Sequence, residues 1–143
     1  MDVTAVDDQQ RLFVSSHIDD WSAIDAHGIT VVVDLEGGID ADVPSGDGTR
    51  LYLYFPFEDE SVPDPTMIQP LAAFLAELYT GGHRVLVHCS MGLNRSPLVA
   101  GVVLHHLGWK GCDVVERLRS CRPGALFNEH YSGYLEALGT IEK

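Results

Sequence analysis

The chain has 143 residues, 45% of them hydrophobic, with a formal net charge of −12 and a mean hydropathy of +0.05. That length fits one domain around a single core of ordinary size, and no apolar run reaches the length of a membrane span. A chain this acidic is not expected to bind nucleic acid, because affinity for a phosphate backbone needs a basic surface.

The charge is uneven. Residues 1–80 hold sixteen acids and two bases, whereas residues 81–143 hold five acids and seven bases. The acidic half reads as a solvated face, and the other half as the part able to attract an anion. Lysine occurs only as Lys110 and Lys143. The first ten residues lack the basic and apolar regions of a secretory leader, so a cytoplasmic monomer without membrane attachment is expected. Cys89, Cys112 and Cys121 are odd in number and form no C-x-x-C pair. Neither a disulfide framework nor a zinc site is indicated. His105 and His106 are adjacent in the chain and would point in different directions on a helix. No metal and no cofactor are expected.

In chain order, Arg11–Val14 reads as a short strand, and Asp19–His27 as a helix stopped by Gly28. Ile29–Leu35 is a nearly continuous β-branched run, the pattern of a strand covered on both faces. A loop rich in Gly and Asp follows, and Leu51–Phe55 is a second strong strand. Thr66 and Gln69 match a capping box, with Leu71, Phe74, Leu75 and Leu78 at helical spacing behind it. Arg84–His88 is a third buried strand. Pro97–Leu107 is apolar on nearly all sides and reads as a buried central helix, with proline in its first turn. Asp113 and Glu116 suit the cap of a further helix with Val114, Val115, Leu118 and Cys121 inward. Asn128 suits the cap of a last one, with Tyr131, Tyr134, Leu135 and Leu138 inward. Strands alternating with helices predict an α/β fold, with a mostly parallel central sheet of about four to five strands flanked by helices. Ligands of such sheets bind beyond the carboxyl ends of the strands.

Cys89 stands at such an end. Seven residues, Cys89 to Arg95, join the third buried strand to the central helix. A loop this tight turns successive backbone N–H groups inward as an anion nest, and the helix adds its positive dipole end. Gly92 sits where a wrapping backbone needs positive φ or close approach. Arg95 is placed to fork two N–H donors onto a tetrahedral oxyanion. These positive ends favour the thiolate of Cys89, the nucleophilic form. The loop therefore holds a phosphate and activates a sulfur in one place.

The residues HCSMGLNRS, His88 to Ser96, match HCxxGxxR[ST]. This pattern resembles the signature of the cysteine-based protein phosphatases, and the chain is similar to their compact dual-specificity branch. GITVVVDL, YFPFEDE, GGHRVLVHCSMGLNRSP, RLRSCRP and the terminal helix occur in that family's order. The resemblance implies that residues 1–143 form a single dual-specificity phosphatase-like catalytic domain. It implies Cys89 as the nucleophile forming a phosphocysteine. Arg95 and the backbone of Ser90, Met91, Gly92, Leu93 and Asn94 would bind the phosphate. Ser96 would donate to the departing sulfur. His88 would orient the loop and tune the thiolate without transferring a proton. The family also supplies a general acid from an upstream aspartate. Asp59, thirty residues before Cys89, matches best, and Asp64 is the alternative, with a helix-cap role competing. Glu58 and Glu60 read as surface charges.

The implied partner is a phosphorylated protein or peptide, carrying phosphotyrosine and also phosphoserine or phosphothreonine. RNA 5′-triphosphatases of the same superfamily also carry Asn before the arginine, and they remain an alternative. A phosphate-binding pseudophosphatase without turnover is the non-enzyme alternative, although it predicts loss of the nucleophile, arginine or acid. Low-molecular-weight tyrosine phosphatases carry their cysteine near the N-terminus, and rhodaneses lack the upstream aspartate. Phosphoinositide and phytate phosphatases usually place lysines within the loop, which this loop lacks. Cys112 and Cys121 are possible redox partners of Cys89, with core packing the simpler role for Cys121.

Overall fold

A computed structural model describes residues 2–46 and 48–139. Met1, Asp47 and residues 140–143, including Lys143 and the end of the expected domain span, lie outside the described residues.

Five strands form one sheet: β1 (Thr4–Ala5), β2 (Leu12–Ser15), β3 (Val31–Asp34), β4 (Leu51–Tyr54) and β5 (Val85–His88). Their order is β1-β2-β5-β3-β4, and only the β1–β2 pair is antiparallel. Strand β5 lies in the middle, and it is buried along its whole length, as are its neighbours β2 and β3. Register places Ser15 and Asp34 beside His88. Three parallel strands therefore end level, and the chain continues from this rim into Cys89.

Side chains alternate across the sheet. Leu12, Val14, Val31, Val33, Val85 and Val87 face one large core shared with α2 (Pro65–Thr80), α3 (Arg95–His106), α4 (Gly111–Cys121) and α5 (Glu129–Glu136). Phe13, Val32 and Leu86 face a smaller core with Ile24 of α1 (Trp21–Ala26). Helix α3 is apolar all round because it lies between the sheet and α2, α4 and α5. Leu98, Val99, Val102, Val103 and Leu104 are fully buried there, each contributing roughly 1.5–3 kcal/mol relative to exposure. This helix anchors the loop that precedes it.

The expected mostly parallel sheet and its central helix are present, and three local expectations need correction. Helix α2 is capped by Asp64, whose side chain accepts from the Thr66 N–H, and not by a Thr66–Gln69 box. Gln69 is occupied elsewhere, donating to the Tyr134 hydroxyl and pairing with His106. The buried face of α2 is Ile68, Ala72, Leu75, Ala76 and Tyr79, and Phe74 is 43% exposed. The alanines let α2 lie close against α3, which outweighs burial of the larger Phe74. Helix α4 begins at Gly111, so Asp113 lies within its first turn instead of at its cap, and no side chain caps it. A Cβ on Gly111 would lie 2.0 Å from the Leu135 carbonyl oxygen, so only glycine permits this α4–α5 approach. In addition, β4 is an edge strand with Leu51 and Tyr54 exposed, and the two-residue β1 carried no sequence signal.

Candidate active site

The backbone from Ser90 to Leu93 is held from outside, one carbonyl at a time. The Ser90 carbonyl accepts from His17 N–H at 3.1 Å, and the Leu93 carbonyl from Leu126 N–H at 2.7 Å. Those of Met91 and Gly92 accept from the Arg122 guanidinium at 3.0 and 2.6 Å. In a trans peptide the carbonyl and the next N–H point in opposite directions. Four carbonyls turned outward therefore turn the N–H groups of Met91, Gly92, Leu93 and Asn94 toward the pocket, which makes the nest. Gly92 has φ +71°, and a Cβ there would lie 2.6 Å from Arg122 Nη2 and 2.7 Å from the Ser15 carbonyl carbon. Only glycine fits between the guanidinium and the end of β2.

Cys89 lies beneath these donors. It is 2% exposed, and its Sγ accepts from the Gly92 N–H at 3.2 Å and lies 3.4 Å from Ser96 Oγ. Arg95 starts α3, and its Nη1 donates to the carbonyls of Phe57 at 3.0 Å and Leu35 at 3.4 Å. Arg95 is thus tied to the chain just beyond β3 and β4, and it lines the same pocket as Cys89. Asn94 occupies the N-cap position of α3 but makes no side-chain cap. The first N–H groups of the helix are left for an anion.

Asp59 lines the same pocket as Cys89 and Arg95, together with Met91 and Phe127 at the rim. Its Oδ2 accepts from Asn94 Nδ2 at 2.9 Å and its Oδ1 from Asn128 Nδ2 at 2.8 Å. Asp64 does not border this pocket. It is exposed at the start of α2, where the N–H and then the hydroxyl of Thr66 hold its carboxyl below the usual range. The Tyr131 hydroxyl, pushed up to about 12 chiefly by burial, stays a donor to the Glu58 carbonyl at 2.9 Å.

Behind the loop, His88 is fully buried, with Nε2 2.6 Å from Asp40 Oδ2 and 3.7 Å from Asp34 Oδ1. The Tyr52 hydroxyl donates to Asp34 Oδ2 at 2.5 Å and accepts from the Asp40 N–H at 2.8 Å. Burial pushes the Asp34 carboxyl up, against the lowering by Tyr52 and the Glu36 N–H. Asp34, Glu36, Asp40 and His88 offer ligand atoms within 4.8 Å of one another, so these residues have the types to hold a cation. They come from β3, the loop after it and β5, which is why spacing in the sequence did not show them as a group. Glu36 pairs with His17 at 2.7 Å, and Asp34 is occupied by Tyr52 and the Glu36 N–H.

Sequence reasoning missed Arg122, Asp34, Asp40 and Tyr52, and it took Asn128 for a cap alone. An acid inside an apolar strand was a signal for Asp34. Arg122, 7% exposed, has no comparable signal. Cys112 is exposed and Cys121 packs at the edge of the core; neither lines the pocket above Cys89.

Several known proteins are similar to this chain. Over 84 residues it is 33% identical to protein tyrosine phosphatase type IVA 3 of Mus musculus, an alignment covering 57% of this chain and 48% of that protein. The chain thus spans about half the length of the curated relative it matches. Human DUSP28 superposes with a TM-score of 0.79 at 22% identity, covering 94% of this chain and 90% of that one. A mouse putative dual specificity phosphatase, crystallised with zinc tungstate, gives 0.78 at 22% identity, covering 94% and 84%. At such identities the superpositions establish the fold. The family described as dual specificity phosphatase, catalytic domain, matches residues 12–140, and the chain therefore belongs to the dual-specificity branch of the cysteine-based phosphatases.

Proposed function

We propose that this protein hydrolyses phosphomonoesters of proteins, phosphotyrosine and also phosphoserine or phosphothreonine, through a phosphocysteine on Cys89. The observation that carries this reading is the set of outward carbonyls from Ser90 to Leu93, which aims a row of N–H groups over a buried sulfur.

The phosphoryl group sits in the nest, with its oxygens on the loop N–H groups and Arg95. The Cys89 thiolate attacks phosphorus in line, a P–S bond forms and the P–O bond to the substrate breaks. The leaving oxygen takes a proton from Asp59, because an alkoxide or phenoxide departs poorly without one. Water then attacks phosphorus and gives a proton to Asp59, the P–S bond breaks, and Ser96 Oγ donates to the departing sulfur. Arg95 and the nest hold the charge that builds on the equatorial oxygens in both steps. His88, fixed by Asp40, keeps the start of the loop in place and supports the thiolate without transferring a proton. Met91 and Phe127, 65% and 66% exposed, give the mouth apolar walls suited to a phosphotyrosine ring. Three free cysteines accord with a reducing compartment, the cytoplasm. Among the described residues no helix is long and apolar enough to cross a membrane.

The test is turnover on a panel of phosphopeptides, 5′-triphosphorylated RNA and phosphoinositides, with vanadate as competitor and EDTA as control. Vanadate-sensitive, EDTA-insensitive release of phosphate from phosphopeptides is expected. Turnover confined to the RNA, or dependent on added Mg²⁺, would overturn this reading.

A further inference from the structure

Residues 55–64, which carry Asp59, form neither helix nor strand, so something other than secondary structure must hold the carboxyl at the pocket wall. Asn128 and Asn94 each give the carboxylate one hydrogen bond, Tyr131 and Arg95 hold the Glu58 and Phe57 carbonyls, and every polar atom of the Asn128 side chain is used. Its Oδ1 accepts from the His130 N–H at 3.0 Å, capping α5. Its Nδ2 donates to Asp59 Oδ1 at 2.8 Å and to the Glu60 carbonyl at 2.9 Å. Its backbone N–H donates to Asn94 Oδ1 at 3.0 Å, and Asn94 Nδ2 in turn reaches Asp59 Oδ2 at 2.9 Å.

Both amides have a single sensible orientation. Each Oδ1 faces a backbone N–H, which can only donate, so each Nδ2 must face the carboxylate. The cap of α5 therefore fixes the direction of the donor that holds Asp59. Helix α5, the phosphate loop and the acid loop are joined at one residue.

We propose that Asn128 is the positioning residue of the general acid, docking the Asp59 loop onto the phosphate loop before substrate arrives. This rests on Asp59 being the acid. Neither Asn128 nor its amide touches the reacting atoms. It sets where the carboxyl stands when the leaving oxygen needs a proton, and misplacement by about 1 Å is enough to cost roughly 10²-fold.

Asn128→Ser is the informative variant, because serine keeps the cap acceptor and lacks the Nδ2 donor. Exchange protection within α5 should match wild type, because its cap is kept. kcat on a phosphotyrosine peptide should fall about 10²-fold at unchanged KM, with much less loss on an activated aryl phosphate. Asn128→Asp, which caps but sets a carboxylate beside Asp59, should lose more than the serine variant. Added to Asp59→Asn, the serine substitution should change nothing further, since the acid is already gone. Amide hydrogen exchange over residues 57–60 should be faster in Asn128→Ser without ligand. Equal losses on both substrates, additivity with Asp59→Asn, or unchanged exchange would overturn the proposal. If the wild-type protein turned over no phosphomonoester, the phosphatase reading would fall, and the exchange comparison would still decide whether Asn128 docks the loop.

Discussion

Replacing Gly92 by alanine tests the nest where it is tightest. The added methyl would lie 2.6 Å from Arg122 Nη2 and 2.7 and 2.8 Å from the Ser15 carbonyl carbon and oxygen. Carbon does not approach so closely. The guanidinium has room to swing only by releasing the Met91 and Gly92 carbonyls, and Ser15 is the last residue of β2, fixed beside His88 in the sheet. The backbone from Ser90 to Leu93 must therefore yield. A φ of +71° adds about 1–2 kcal/mol for a residue with a Cβ, and overpacking about 1–3 kcal/mol. The fold should thus lose roughly 2–5 kcal/mol. The effect on an oxyanion is separate. If two inward N–H groups lose their bond to the anion, at about 1.5–3 kcal/mol each, vanadate binding weakens by about 10²–10⁴-fold. The assays are urea unfolding and calorimetric titration with vanadate. A Gly92→Ala protein of wild-type stability and wild-type vanadate affinity would show that the close backbone contact and the inward donors are not both present.

Asp59→Asn should slow hydrolysis of a phosphopeptide by about 10²–10⁴-fold and slow an activated aryl phosphate much less. Asp64→Asn should leave rates and leaving-group dependence intact and cost only some stability of α2, as kinetics and melting of the two variants would show. Arg122→Met leaves the Met91 and Gly92 carbonyls without their donor, at about 1–3 kcal/mol each where they stay buried. Chemical denaturation should register that loss together with weaker vanadate binding. The His17 imidazole is raised chiefly by its hydrogen bond to Glu36, so its contribution to stability is fully present below the unfolded value of about 6.5 and is lost as pH rises through the raised folded value. Wild type should therefore melt above His17→Ala at about pH 5.5, and the two should converge by about pH 8.5; a difference that grows with pH would contradict this sign.

What could be read in the sequence and what could not divide along physical lines. The runs Ile29–Leu35 and Arg84–His88 could be read because a strand covered on both faces has no polar alternation to obscure it. The strand–Cys89–helix junction followed from Pro97 and the apolar helix behind it. Asp64 and Asn128 could be recognised as helix caps because capping is local. The buried face of α2 could be read only in part: Leu75 is buried and Leu71 and Leu78 pack against the core, but Phe74 is exposed, and the Ala72 and Ala76 side that meets α3 has no stripe of large side chains to announce it. Arg122 was unreadable for another reason. A lone arginine after α4 looks like surface charge, and its five hydrogen-bonding partners come from residues near positions 2, 4 and 92. The Asp34–Asp40–His88–Tyr52 network is likewise assembled from separate strands and a loop. The hydrogen bonds from Asn128 to Asp59 and Glu60 likewise need residues 55–64 and the start of α5 to meet in space.

Whether sulfur carries the phosphoryl group can be read most directly by mass spectrometry of the protein quenched in acid during turnover of an activated aryl phosphate. One phosphoryl group is expected on the peptide containing Cys89, more of it in Asp59→Asn, where the water step lacks its base, and none in Cys89→Ser, which should also lose turnover while still binding vanadate. Turnover with no phosphoryl group on Cys89, or a Cys89→Ser protein that hydrolyses at the wild-type rate, would contradict a phosphocysteine.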